Sequence, residues 1–109
     1  MALDDQRFLA LADETLDRLM AAVEDQCADA EVELQGGILT IELDGAQYVL
    51  NKHAPMRQLW LSSPRSGAWH FAWDEAASAW RNTRGPETLD AVLAQDLGAA
   101  TGKDVELGA

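Results

Sequence analysis

The residues best suited to chemistry are carboxylates, and they are crowded into one part of the chain. Glu24, Asp25, Asp29, Glu31 and Glu33 follow one another within ten positions. Carboxylate oxygens are hard ligands and suit hard cations such as ferric iron, magnesium, calcium and manganese. If a helix ending at Asp25 lies beside a strand starting at Glu31, these oxygens converge along one edge. Such a site is shallow, water-rich and weak, because nothing encloses the metal. The bland alternative is a solvated charge run, the commoner outcome for exposed acids.

Other chemistry is poorly represented. Neither His53 nor His70 has a Glu three residues before it, so the Glu-x-x-His pattern of di-iron bundles is missing. No HExxH, nucleophile elbow or phosphate-binding glycine loop occurs. Cys27 stands alone, which excludes an intramolecular disulfide and a multi-cysteine zinc site. Its acidic neighbours oppose a thiolate, so it reads as an incidental small residue. His53, before Ala54-Pro55, reads as a loop residue without a chemical role. His70 reads as a hydrogen-bonding surface residue, and Arg65 as a solvent-exposed turn residue. An enzyme is therefore the minor reading.

The elements that would position these groups follow from periodicity. Residues 4–25 are predicted as an amphipathic helix with Asp4 or Asp5 as N-cap. Phe8, Leu11, Ala12, Leu16, Leu19 and Val23 recur at helical spacing. Asp13, Asp17 and Glu24 share a stripe on the opposite face. The period then becomes two. Val32 and Leu34 alternate with Glu31, Glu33 and Gln35, and Gly36-Gly37 marks a tight hairpin. Leu39, Ile41 and Leu43 alternate in the next run, which ends at Asp44-Gly45, a second hairpin signal. Tyr48 and Leu50 continue the inward set, with Val49 and Asn51 outward. After Pro55, Leu59 and Leu61 alternate with Gln58, Trp60 and Ser62. Residues 62–67 are a turn by composition, Trp69, Phe71 and Trp73 alternate in a further run, and a short segment around Trp80 is one more candidate strand.

Gly85-Pro86 is expected to open the last helix, with Pro86 in its first turn, Leu89, Val92, Leu93 and Leu97 as its apolar face and Gly98 as its stop. Residues 99–109 read as a tail that packs locally through Val105 and Leu107. A single domain over 1–109 follows, an α+β two-layer sandwich in which N- and C-terminal helices cover one face of a five- to six-stranded antiparallel sheet. On that assignment Thr40, Glu42, Val49, Asn51, Gln58, Trp60, Ser62 and His70 lie on the open face. Burial is expected for Trp69, Trp73 and Trp80. Trp60, by parity, points outward among polar neighbours, a setting enriched in binding hot spots.

Charge narrows the partners. The chain has 109 residues and a formal net charge of −11. Residues 1–33 hold ten acids and two bases, residues 34–85 four acids and five bases, and residues 86–109 five acids and one base. The anionic field therefore belongs mainly to the first third, and the near-neutral middle holds all four tryptophans. Nucleic acids and anionic membranes are disfavoured, whereas basic protein surfaces and metal cations are favoured. Hydrophobic residues make up 48%, enough for a core, so the charge does not imply disorder. The first residues lack a basic segment followed by an apolar one, and no apolar run is long enough to span a bilayer, so a soluble cytoplasmic chain is expected.

Several runs together resemble the frataxin family. These are Gly36-Gly37-Ile38-Leu39-Thr40-Ile41, Asn51-Lys52-His53-Ala54-Pro55 and Gln58-Leu59-Trp60-Leu61-Ser62-Ser63-Pro64, with Trp69-His70-Phe71, Trp80 and Glu87-Thr88-Leu89 after them. The segment Phe8-Leu9-Ala10-Leu11-Ala12-Asp13 is similar to the bacterial branch. The resemblance covers residues 4–98 and implies two helices on an antiparallel sheet. It implies an iron-binding adaptor or regulator of iron–sulfur cluster assembly that docks on the cysteine desulfurase and its scaffold assembly. It also implies weakly bound Fe2+ or Fe3+, other divalent cations being alternatives, and a monomer with iron-dependent oligomers as a second state. A ferroxidase-like or iron-storing protein is the alternative, and an acidic module for another basic protein is the third reading. By position, the family's acidic ridge falls on Asp17, Glu24, Asp25, Asp29, Glu31 and Glu33. Its partner-binding sheet surface falls on Asn51, Lys52, Gln58, Trp60 and His70. Two departures stand out. Met20, Ala21 and Ala22 occupy mid-helix positions that relatives fill with acids, and Ala72 stands where an aspartate is common.

Overall fold

The computed structural model describes residues 4–107. The N-terminal reading at Met1-Ala2-Leu3 and the last two tail residues, Gly108 and Ala109, lie outside them. The element order is α1 (Asp5–Gln26), β1 (Glu31–Gln35), β2 (Ile38–Leu43), β3 (Ala46–His53), β4 (Gln58–Ser63), β5 (Gly67–Asp74), β6 (Ala79–Asn82) and α2 (Leu89–Thr101). The six strands form one antiparallel meander in sequence order, with both helices on one face.

α1 begins where Asp4 leaves extended backbone and its carboxylate accepts from the Arg7 N–H at 2.8 Å. The apolar stripe of Phe8, Ala12, Leu16, Leu19 and Val23 is buried against Leu39, Ile41, Tyr48, Leu50, Leu59 and Phe71. Both hairpin signals are realised as turns with two consecutive positive φ angles, 61° and 79° at Gly36-Gly37 and 52° and 78° at Asp44-Gly45. That sense of turn matches the right-handed twist of the flanking strands, which holds the register and hence the face each side chain takes.

The C-terminal region corrects two boundaries. Pro86 does not start α2. Residues 83–88 remain a turn in which the Asn82 N–H donates to the Glu87 carbonyl at 2.7 Å, and Thr88 is the N-cap. Gly98 does not stop α2 either; Gly102 does, with φ 74°. Gly98 serves close packing instead, since a Cβ there would lie 3.2 Å from the Lys103 carbonyl oxygen. The chain can thus fold back, and residues 103–107 become a strap that buries Val105 and Leu107. The Gln26 amide grips the strap by accepting from the Glu106 N–H at 2.7 Å and donating to the Glu106 carbonyl. Arg18 donates to the Leu107 carbonyl and to both carboxylate oxygens of Asp90 at 3.1 Å.

Of the tryptophans expected inside, Trp80 is fully buried and donates its Nε1–H to the Thr15 hydroxyl at 2.8 Å. Trp69 and Trp73 are only half-buried, packed at the border of the core. Both lie on β5, next to the outer strand β6 that carries the buried Trp80. A buried carboxylate joins the layers: Asp96 of α2 accepts from Ser63 Oγ at 2.7 Å and from Ser66 Oγ. Ser66 in turn accepts from Trp69 Nε1–H at 2.9 Å.

Candidate functional site

The strand register lays a row of outward side chains across the middle of the open face. Ile38 pairs with Asn51, Asn51 with Trp60, and Trp60 with His70. The next row runs His53, Gln58, Ala72 and Arg81. Strand parity places all of these away from the helices, because Leu39, Leu50, Leu59, Leu61 and Phe71 occupy the alternate positions and are buried.

Three rings stack on this face. His53 and Trp60 lie 3.7 Å apart between centroids and 9° from parallel; Trp60 and His70 lie 4.2 Å apart and 11° from parallel. The indole Nε1–H donates to the Gln58 side-chain oxygen at 2.8 Å, two residues along the same strand face. Trp60 is therefore half-buried between two imidazoles and held in one orientation, with no helix covering it. His53 Nδ1 accepts from the Met56 N–H at 3.3 Å, which caps the β3–β4 turn. This corrects the reading of His53 as a loop residue. It ends β3 with the parity of Asn51, and counting two residues on from Asn51 would have placed it on the face. Ile38, exposed at 42%, is the other member of the row that went unremarked.

Four of the five expected sheet-face residues, Asn51, Gln58, Trp60 and His70, share this surface. Lys52 does not. It has the opposite parity, pairs with the buried Leu59, and sends its ammonium to Asp13 of α1 at 2.8 Å. Its stem crosses Gly37, where a Cβ would lie 2.9 Å from Lys52 Cε. Ala72 opens onto the face beside Gln58, and the neighbouring Arg81 pairs with Asp74 at 3.2 Å.

The acidic set is distributed over two layers. Asp17, Glu24, Asp25 and Asp29 are exposed on α1 and the connector. Glu31 and Glu33 are exposed too, but the alternation that turns Val32 and Leu34 toward the core turns them to the open sheet side. Glu42, opposite Glu31 in the register, joins them there. Helix and strand carboxylates thus flank β1 on its two faces, and among the described residues no three metal-ligating side chains enclose one position. Nearer the start of α1, Asp5 pairs with Arg57 and Asp13 with Lys52, each at 2.8 Å. The thinner mid-helix has a packing reason: Met20 and Ala22 are half-buried against the core, and only Ala21 is exposed. Among the described residues, no helix is long and apolar enough to cross a membrane.

Comparison with known proteins agrees with this fold. Residues 1–103 match the family model of the frataxin-like domain. The chain is 36% identical over 105 residues to the iron-sulfur cluster assembly protein CyaY of Pseudomonas aeruginosa, covering 95% of this chain and 96% of that protein. It is 34% identical to mitochondrial frataxin of Arabidopsis thaliana, covering 96% of this chain and 59% of the plant protein. Among solved structures, frataxin from Psychromonas ingrahamii superposes with a TM-score of 0.86 at 20% identity, over 97% of this chain and 99% of that one, a likeness of fold. Trimeric frataxin from the yeast Saccharomyces cerevisiae, complexed with ferrous iron, superposes with a TM-score of 0.76 at 31% identity, over 85% and 87% of the two chains. With the two-helix, six-stranded architecture and these matches along nearly its whole length, the chain belongs to the frataxin-like domain family.

Proposed function

We propose that this protein is an iron-binding adaptor and regulator of iron–sulfur cluster assembly that docks on a cysteine desulfurase. The observation that carries the reading is the Trp60 stack. An indole clamped between His53 and His70 and hydrogen-bonded to Gln58 is a rigid, amphipathic anchor on an uncovered sheet. Aromatic anchors of this kind contribute much binding energy at little entropic cost. Asn51 and His70 beside it supply polar contacts. The relatives' role in iron–sulfur cluster assembly supports the same reading.

The exposed acids Asp17, Glu24, Asp25, Asp29, Glu31 and Glu33 serve two purposes in this proposal. They steer the protein toward a basic partner surface, an effect that raises the association rate and fades with salt. They also hold iron, as cargo, through hard oxygen ligands and water. The yeast relative's complex with ferrous iron supports this part. The protein works in the cytoplasm, and it is a monomer that iron can assemble further.

The test is a desulfurase activity assay with and without the protein, at low and high ferrous iron. An iron-dependent change in rate, lost in Trp60→Ala and weakened in a variant with Glu24, Asp25 and Asp29 changed to Lys, supports the proposal. An unchanged rate under every condition overturns it. Oxygen uptake above the buffer rate on adding ferrous iron would instead indicate an iron-oxidising activity.

A further inference from the structure

β6 is shorter than the strand it pairs with. β5 spans Gly67–Asp74, whereas the ladder with β6 runs only from Phe71↔Asn82 to Asp74↔Ala79. One more bond, from the Thr83 N–H to the His70 carbonyl at 2.9 Å, ends it. In a strand, successive residues turn their N–H and C=O groups alternately toward the two neighbours. His70 faces the β6 side, so Ala68 does as well. Ala68 pairs with Ser62 of β4 on its other side, but among the described residues no strand lies beside it on the β6 side, because the β6 ladder reaches only Phe71 and the chain turns away at Arg84. The free edge opens on a cleft of about 340 Å³, with Trp69 on one face of the sheet, His70 on the other, and Arg84 at its wall.

Arg84 is also unusual in its charge state of affairs. Arg7, Arg18, Lys52, Arg57 and Arg81 each have a carboxylate partner. Among the described residues, Arg65, Arg84 and Lys103 do not, and Arg84 is the one of these three that lines the cleft.

We infer that this half-strand edge is a peptide-docking site: an extended, carboxylate-bearing segment of a partner protein adds beside Ala68 as a further strand, and its carboxylate meets Arg84. Backbone bonds to Ala68 and to the His70 N–H supply affinity for any extended chain, and the alternating side chains of the guest lie against Trp69 and His70 in turn. The guanidinium selects for an acidic residue, since it can take a carboxylate with two parallel hydrogen bonds. The Ala68 methyl leaves the approach open. A second copy of this chain is a poorer guest, because each copy carries a net charge of −11. The other outer strand, β1, carries Glu31 and Glu33 and would repel the same segment. This docking shares His70 with the Trp60 stack but lies on the β6 side of β5, and it does not rest on the iron or desulfurase proposal.

An NMR titration of the full ¹⁵N-labelled chain tests it, with an acetylated, amidated Val-Glu-Val-Glu-Val peptide as probe and the Val-Lys-Val-Lys-Val peptide as control. Amide shifts should concentrate at Ala68, His70 and Arg84, and the Ala68 amide should exchange more slowly. The Lys peptide, and the Glu peptide against Arg84→Glu, should each bind about fivefold or more weakly, the scale of one charge-assisted contact. Arg84 is exposed, so its variant is expected to fold, and its Tm checks this. The inference is overturned by an absence of shifts at millimolar peptide in low salt, by shifts centred on β1, or by equal binding of the two peptides. It is also overturned if sedimentation shows that a second copy of the chain occupies the edge.

Discussion

The indole of Trp60 and the imidazole of His70 lie face to face on neighbouring strands, 4.2 Å apart between centroids and 11° from parallel. Their Cα atoms are register partners, so the stack follows from the β4–β5 pairing alone. Because this face is uncovered, the contact orders a surface rather than a core. Trp60→Ala should therefore lower stability by only about 1 kcal/mol, the scale of one aromatic pair. Chemical denaturation measures this. A loss of several kcal/mol would mean that Trp60 is a core residue and that the sheet-face proposal fails. Gln58→Leu should leave the fold intact while freeing the indole N–H, seen as faster exchange of the Trp60 Nε1 proton.

Asp96 predicts a larger effect. Its buried carboxylate accepts from two hydroxyls and ties the β4–β5 turn to α2. Asp96→Ala leaves Ser63 without its acceptor in a buried setting and should cost about 2–3 kcal/mol. Asp96→Asn keeps one acceptor oxygen and should cost less. Urea midpoints of the two variants, compared with the parent, check the order.

The strap is a second structural test. Ending the chain after Asp104 removes the buried Val105 and Leu107 and the acceptors for Arg18 and Gln26. The loss should be about 2–4 kcal/mol, as for truncating large apolar side chains in a core. Gln26→Ala, which removes only the amide clamp on Glu106, should cost about 1 kcal/mol. Equal stability of the truncated and full chains would show that the strap is not part of the folded core.

Stability should fall at both ends of the pH range. Burial pushes the Cys27 thiol up from 9.0 and the Tyr48 phenol up from 10.0. Each native group holds its proton more tightly than the unfolded one. Their contribution is therefore complete below those ordinary values and is lost as pH rises past them through the raised native values. The thermal midpoint should decline above about pH 9, and in Cys27→Ala the decline should begin nearer pH 10. At the acid end, the hydrogen bond from Arg7 holds Glu75 below 4.5, and that from Asn82 does the same for Glu87. Their contribution is present above 4.5 and lost as pH drops through the lowered values. A thermal scan across pH measures both limbs.

Much of the fold is legible along the chain because its signals are local. Leu39, Ile41 and Leu43 alternate without interruption between two glycine-containing turns of two residues that hold β1, β2 and β3 in register, and Leu59 and Leu61 alternate in the same way after them. The same parity is enough to place Asn51, Gln58, Trp60 and His70 on one face. Signals near helix ends are weaker. Pro86 and Gly98 have the composition of a start and a stop, yet Thr88 and Gly102 take those positions, since capping depends on which neighbour the backbone meets.

The sequence by itself determined the layer arrangement, the location of the negative charge and the outward direction of Trp60, since all three depend on spacing along one strand or helix. Only the tertiary structure decided that Lys52 reaches back to Asp13, that His53 and His70 clamp Trp60, and that the last residues form a strap gripped by Arg18 and Gln26. It also decided that helix and strand carboxylates flank β1 on separate faces, and that β6 stops short of Ala68. The contacts among these bring side chains from different elements within a few ångströms, and such distances are set by packing rather than by periodicity.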